Sequence, residues 1–278
     1  MLAGLLAALL VAACDGGGKD GGADGGGDTD TETTTDPAGD PWEIALVEGG
    51  DVGLQTAVAV GPDGEVGLAY FGNEPWEDGV CEEVESSPPP RMRYDLYYAQ
   101  RSFGQDAFAV ELVGSPVTAF TPTGVDLAFD GAGRPALAHV GGDPQDQYCG
   151  ANDAVITTRD GGAWQTETAA STSGQAATGE PASDSGFVVG LWSALVFDAD
   201  GAPAVLYKDA HFGSMQHDDL YRADSEVALG GGGWSHEAVD AGEGAGEYGE
   251  LVIDGAGRLV AVYVIPVAAQ GDSRHGGW

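Results

Sequence analysis

Four times in 278 residues the same phrase returns: VGPDGEVGLAY from Val60 to Tyr70, FDGAGRPALAH from Phe129 to His139, FDADGAPAVLY from Phe197 to Tyr207, and IDGAGRLVAVY from Ile253 to Tyr263. Each copy reads as the end of an alternating apolar strand, an Asp/Gly turn, a second alternating strand and a closing Tyr or His. The turn glycines Gly64, Gly133, Gly201 and Gly257 lie 69, 68 and 56 residues apart. A period of that length belongs to radial or stacked β-repeats. The phrase constrains architecture more tightly than chemistry.

Between the phrases each unit carries a loop of variable length and a third apolar segment. These segments are Tyr94–Arg101, Ala154–Arg159, Asp219–Asp224 and, more weakly, Val264–Gly271. Fourth strands are expected at Phe108–Val113, Trp164–Ala169 and Trp234–Asp240. Four short strands per unit, with tight turns inside and longer loops on one side, is the plan of a propeller blade. The fold class is therefore all-β, a β-propeller with four blades visible. A fourth-strand pattern at Trp42–Val47 precedes any first strand, so either this N-terminal strand completes the last blade or further blades follow Trp278.

The first 14 residues form an apolar run from Leu2 to Ala13 that ends in Cys14, too short for the ~20 residues that span a bilayer. It reads as a processing signal, although no Lys or Arg precedes it. Val11-Ala12-Ala13-Cys14 resembles the lipobox of bacterial lipoproteins, which implies that Cys14 is acylated and becomes the mature N-terminus. The alternative is an ordinary secretory signal with an incidental cysteine. Residues 15–41 contain almost no apolar side chain and are expected to form a disordered acidic tether. Residues 42–278 are expected to carry the propeller.

The formal net charge is −35 at pH 7, and only seven of those charges lie in the tether, where eight acids face Lys19. The folded part is strongly acidic, with Lys208 its only lysine and the eight arginines scattered. Such a field repels nucleic acid and anionic headgroups, so nucleic-acid binding is excluded. Cations, basic partners and solubility in a salty habitat remain.

With Cys14 used for lipid, Cys81 and Cys149 occupy comparable loops after the second strands of adjacent units. They are candidates for a disulfide in an oxidising compartment; the alternative is two free thiols. The loop holding His211, His217 and Asp218 mixes imidazole and carboxylate and could suit zinc, but its spacing matches no zinc signature. Oxygen-rich loops leave calcium open, without an EF-type loop to support it. No cofactor is expected. Trp76, Tyr148 and Phe212, in the same long loops, are candidates for a ligand-facing rim.

The repeat resembles the degenerate blades of sialidase-like, Asp-box β-propellers, many of them bacterial lipoproteins of unknown role. Its nearest approach to the box is Thr158–Trp164, one residue short. The resemblance implies a propeller and raises glycoside hydrolysis as an activity. Against hydrolysis, Asp63, Asp130, Asp198 and Asp254 recur at every turn, whereas a glycosidase needs one asymmetric carboxyl pair ~5–10 Å apart. No arginine trio for a sugar carboxylate is visible, and no catalytic residue is named. The reading is a cell-envelope lipoprotein, exported and lipid-anchored, whose propeller binds or scaffolds a glycan or protein. The alternatives are a carbohydrate-active hydrolase and a structural surface protein without a specific ligand.

Overall fold

A computed structural model describes residues 45–49, 52–72, 76–77, 92–118, 122–141, 153–170, 188–210, 223–240 and 245–265. The chain divides into two compact units, residues 1–49 and 50–278. In the first, the described residues 45–49 form no strand, so Ala45, Leu46 and Val47 do not take the fourth-strand role expected of them. Among the described residues no helix is long and apolar enough to cross a membrane.

The second unit is built from antiparallel sheets. The first blade is β1 (Val52–Val60), β2 (Val66–Gly72), β5 (Leu96–Arg101) and β6 (Ala109–Gly114), hydrogen-bonded in that order. A small separate sheet joins β3 (Trp76–Glu77) and β4 (Met92–Arg93), from the loop between its second and third strands, to β7 (Val117–Thr118), from the connection after its fourth. The second blade is β8 (Val125–Phe129), β9 (Pro135–Gly141), β10 (Asp153–Asp160) and β11 (Ala163–Ala170). The third is β12 (Val188–Phe197), β13 (Pro203–Ala210), β14 (Ala223–Leu229) and β15 (Ser235–Asp240), and the fourth shows β16 (Glu247–Ile253) and β17 (Leu259–Val264).

Each sheet is a meander, and the inner strands pack in series: β1 against β8, β8 against β12, β12 against β16. That is the stacking of propeller blades. Small and large side chains interleave between sheets. Ala136, Ala138, Ala154 and Ile156 of the second blade pack with Leu195, Val205 and Tyr207 of the third. Ala69, Phe71, Leu96 and Tyr98 of the first pack with Leu127 and Leu137 of the second. The second strands β2 and β9 are buried along nearly their whole length because sheets cover both faces.

The third strand of the third blade runs later than expected, at Ala223–Leu229 in place of Asp219–Asp224. Its register on β13 pairs Ala204 with Leu229 and Tyr207 with Glu226, which puts Val227 among the buried side chains of the third and fourth blades. Of the weaker segment Val264–Gly271, Val264 ends β17 and residues past Ile265 lie outside the described residues.

The recurring turn follows one design. In the second blade Asp130 Oδ1 accepts the backbone N–H of Ala132 (2.9 Å) and of Arg134 (2.8 Å). In the third, Asp198 does the same for Asp200 and Ala202, and in the fourth Asp254 does so for Ala256 and Arg258. Gly64, Gly133, Gly201 and Gly257 follow with φ of 80°, 76°, 82° and 78°, the left-handed step that closes the hairpin. The first blade departs from this pattern. The residue equivalent to Asp130 is Gly61, not Asp63, and the Glu65 carboxylate fills the vacated space, accepting the Asp63 N–H at 3.0 Å.

Candidate functional site

Most of the sites expected from sequence fall outside the described residues: the rim residues Tyr148 and Phe212, the metal candidates His211, His217 and Asp218, and Cys14, Cys81 and Cys149. Trp76 is described in backbone only. It pairs with Arg93 in the small sheet of the first blade's loop, so that loop is structured at its base. Among the described residues no group of three or more His, Cys, Asp or Glu is placed to hold a metal ion.

The described residues do bring one constellation together, at the end of the blades opposite the Asp turns, where the inner strands begin. In three blades the strand starts with a glycine followed two residues later by a residue forced into the left-handed region. These are Gly53 and Gln55 (φ 103° and 50°), Gly190 and Trp192 (103° and 49°), and Gly246 and Tyr248 (96° and 51°). Each pair lies where the β1–β2, β12–β13 or β16–β17 ladder slips register, and the bulge supplies the geometry. A bulky residue at such φ carries strain of about 1–3 kcal/mol that its surroundings must hold in place. In the second blade Gly124 (φ 96°) is followed by Val125 and Asp126, and the β8–β9 ladder has no slip.

These positions join blade to blade. Gln55 Oε1 accepts the N–H of Gly124 at 3.1 Å. The Trp192 N–H donates to the Thr123 carbonyl at 2.7 Å, and a Cβ on Gly124 would lie 2.7 Å from Trp192 Cα, so glycine there permits the close approach. The Trp192 and Tyr248 rings stand 5.7 Å apart at 49°. Lys208 Nζ lies 5.0 Å from the Trp192 ring and 2.9 Å from Glu247 Oε1, an ion pair buried on both sides. Equivalent places in the repeat, nine residues before each turn glycine, thus hold a carboxamide, an indole and a phenol, with Gly124 in the second blade.

At this end Asp126 has a displaced titration. Burial pushes it up to about 6, against the opposing pull of the Leu195 and Leu127 amides, and the charge of Glu250 adds a smaller push. Its Oδ2 accepts the Leu195 N–H at 2.6 Å and its Oδ1 the Leu127 N–H at 2.8 Å, which ties β8 to β12. Counted back from the turn glycines, Asp126 and Glu250 hold the same register position, each seven residues before its turn.

His139, the odd member of the closing aromatic set, is buried. Its Nδ1 donates to the Val140 carbonyl (2.9 Å), so Nε2 accepts from Thr157 Oγ1 (3.0 Å), which in turn receives the Thr166 hydroxyl (2.8 Å). Burial lowers its pKa to about 4, holding the ring neutral. This is a packing role, as in the other blades, where Tyr207 meets His236 and Tyr263 donates to Asp240.

Sequence reasoning passed over Gln55, Asp126, Trp192, Tyr248 and the Lys208–Glu247 pair. A signal was present: Gly53, Gly190 and Gly246 each stand eleven residues before a turn glycine, and Val-Gly-Leu occurs at both Val52–Leu54 and Val189–Leu191.

No family model matches this sequence, and no curated protein does. Among solved structures the chain is similar to the xylan β-1,4-xylosidase of Bacillus halodurans C-125, at 14% identity and a TM-score of 0.48 over 80% of this chain and 39% of that one. It is also similar to the Penicillium chrysogenum α-L-arabinanase complexed with arabinobiose, at 9% identity and a TM-score of 0.30 over 76% and 75% of the two chains. This chain spans about two fifths of the xylosidase's length, and neither protein is a sialidase. The propeller assignment rests on the sheet order of the blades themselves.

Proposed function

We propose that this chain is an exported propeller, held at the cell envelope by a lipid on Cys14 and the acidic tether, that binds a glycan at the end where its inner strands begin. The observation that carries the reading is the contrast along each inner hairpin. The turn end repeats one structure, while the opposite end presents different side chains at one repeat position on a strained backbone. Strain of this kind collects at functional sites. An indole ring beside a carboxamide, carboxylates and a phenol supplies both the flat face and the hydrogen-bonding groups that sugars engage. The Cys81–Cys149 bridge belongs to this exported reading, as it needs an oxidising compartment.

The test is binding of the full chain to polysaccharide and peptidoglycan arrays, comparing wild type with Gln55→Ala/Trp192→Ala and with the turn variant Asp198→Ala. Loss in the first variant alone supports the reading. Unchanged binding in that variant, or equal loss in both, overturns it.

A second reading, glycoside hydrolysis, is favoured by one observation: burial, with a smaller push from the Glu250 carboxylate, raises Asp126 to about 6. Both of its oxygens already accept backbone N–H groups, which favours the binding role. Hydrolysis of aryl glycosides by the wild type that disappears in Asp126→Asn would reverse that preference.

A further inference from the structure

The last described hairpin is dressed like the second and third blades but stands uncovered. Strand β9 is buried along all seven residues, and β13 is buried from Ala204 to Asp209, whereas β17 alternates between exposed and half-buried. Leu251 and Ala261 face the third blade. The opposite face carries Val252, Val260 and Val262, which are 51%, 39% and 62% exposed, with Tyr248 at 68%.

The three junctions already built show what such a face meets. In each, the outward side of one blade receives the inner strand of the next: β8 on the first, β12 on the second, β16 on the third. One side-chain detail is seen at each of two of these junctions. Asp126, seven residues before its turn glycine, accepts the N–H of Leu195, which lies six before the next one. Trp192 meets Tyr248, the corresponding residue of the next inner strand. On the uncovered face Glu250 and Tyr248 hold those same two places. The matching strand in this chain is β1, whose Ala57 and Ala59 pack into the first junction while Val58 and Val60, at 56% and 69% exposed, point the other way. Among the described strands β1 is not packed on β16 as it is on β8.

We propose that the outward face of β16–β17 receives β1 of a second copy of this chain, continuing the blade-to-blade junction between molecules. Glu250 then takes the N–H of the partner copy's Val58, and Tyr248 is covered by the residues around the partner copy's Gln55. Two copies related by a two-fold axis make two such junctions and leave neither apolar face bare. An exposed contiguous apolar strip on a chain this acidic is the mark of an interaction surface, and the strip itself adds only Glu250 to the charge that two copies bring together. Dimerisation therefore strengthens as salt screens the remaining repulsion.

Sedimentation equilibrium on the full chain, from low to high micromolar concentration in 0.1 and 1 M NaCl (chosen at about 10 Å and 3 Å Debye length), reads the proposal directly. The expected result is a two-chain mass that weakens at low salt, and at least ~10-fold weaker association for Val262→Glu, whose side chain is exposed enough for the single chain to fold unchanged. Val58→Glu, on the other face, has the same effect and stands in should Val262→Glu misfold. Phe103→Glu, at the exposed turn between β5 and β6, has none. A one-chain mass at every concentration and salt overturns the proposal, as does a dimer indifferent to both Val262→Glu and Val58→Glu.

Discussion

The two ends of the inner hairpins share a backbone and have opposite characters. At the turn end, Asp130, Asp198 and Asp254 repeat one bonding pattern, and hydrogen bonds to their own turns and to Arg134 or Arg258 hold Asp130 and Asp254 below the usual carboxylate range. In Asp130 burial pulls the other way and is outweighed. At the opposite end Asp126 is pushed up to about 6, an ion pair is buried, and three side chains sit on left-handed backbone. Recurrence marks the self-sufficient end. Variation marks the end that depends on neighbouring blades.

The sharpest difference lies in tolerance to an added methyl group. Gly190→Ala places a Cβ 2.7 Å from Ala154 Cα at a φ of 103°, and Gly124→Ala makes the equivalent collision with Trp192. Each should lose about 4 kcal/mol, from backbone strain together with overpacking against main chain. Gly201→Ala, at a turn with φ 82° and open space around it, should lose only about 1–2 kcal/mol. Urea unfolding of the three variants measures this, and equal losses would erase the distinction between the ends.

Next comes the buried pair. Lys208→Met leaves Glu247 charged and without its cation beneath Trp192, at a cost of about 3–4 kcal/mol, while Lys208→Met/Glu247→Leu should recover most of that. The exposed turn pair behaves differently. Arg258→Met leaves Asp254 its backbone partners and solvent, and should leave stability nearly unchanged. A double-mutant cycle at each pair gives the two coupling energies.

Acid titration separates the ends as well. His139 is held neutral, with a folded value near 4 against an unfolded value near 6.5, so the unfolded chain binds the proton first and stability rises with pH across that window. Asp126 has a folded value near 6 against an unfolded 3.8, so the folded chain binds the proton first and stability falls with pH over nearly the same window. Each is worth about 3 kcal/mol, and in the wild type they nearly cancel. His139→Gln keeps a donor for Val140 and an acceptor for Thr157 but does not titrate. It should therefore unmask Asp126 and lose about 3 kcal/mol between pH 4 and pH 6. Asp130 and Asp254 take no part there; their contribution is present above the unfolded value of 3.8 and is lost only as pH falls below it. Unfolding free energies at pH 4, 5 and 6 show whether the wild type is flat and the variant sloped.

What could be read from sequence follows the same division. The turns were legible because Asp, Gly and the apolar alternation are local requirements: a side chain bonding its own backbone needs no partner from elsewhere. The series of blades was legible because the period is regular. Gln55, Asp126, Trp192 and Tyr248 were not, because their roles depend on which strand stands opposite, and nothing near Asp126 in sequence announces the Leu195 amide 69 residues away. The strand Ala223–Leu229 was misplaced for a related reason. Its register is set by pairing with β13 and by Val227 packing beneath Leu206, while the apolar Leu220 and Tyr221 drew the expected strand too early in the chain.

The smallest effect probes the exception within the repeating end. Gly61 stands where the other turns have Asp, and Glu65 stands where two of them have Arg. A Cβ on Gly61 would fall within the Glu65 carboxyl group, so Gly61→Asp alone sets two carboxylates in one space and should lose about 1–2 kcal/mol. Glu65→Arg alone removes the acceptor of the Asp63 N–H and should lose about 1 kcal/mol. Made together, the two substitutions rebuild the arrangement of Asp130 and Arg134, with two backbone N–H donors to the carboxylate and a carboxylate–guanidinium pair, and stability should return to within about 0.5 kcal/mol of wild type. A positive coupling of that size means the turn is a portable unit, indifferent to which blade carries it. Additive losses would mean that the first blade's turn, like the opposite end of the hairpins, is fitted to its neighbours, and the contrast between the two ends would fail at its simplest point.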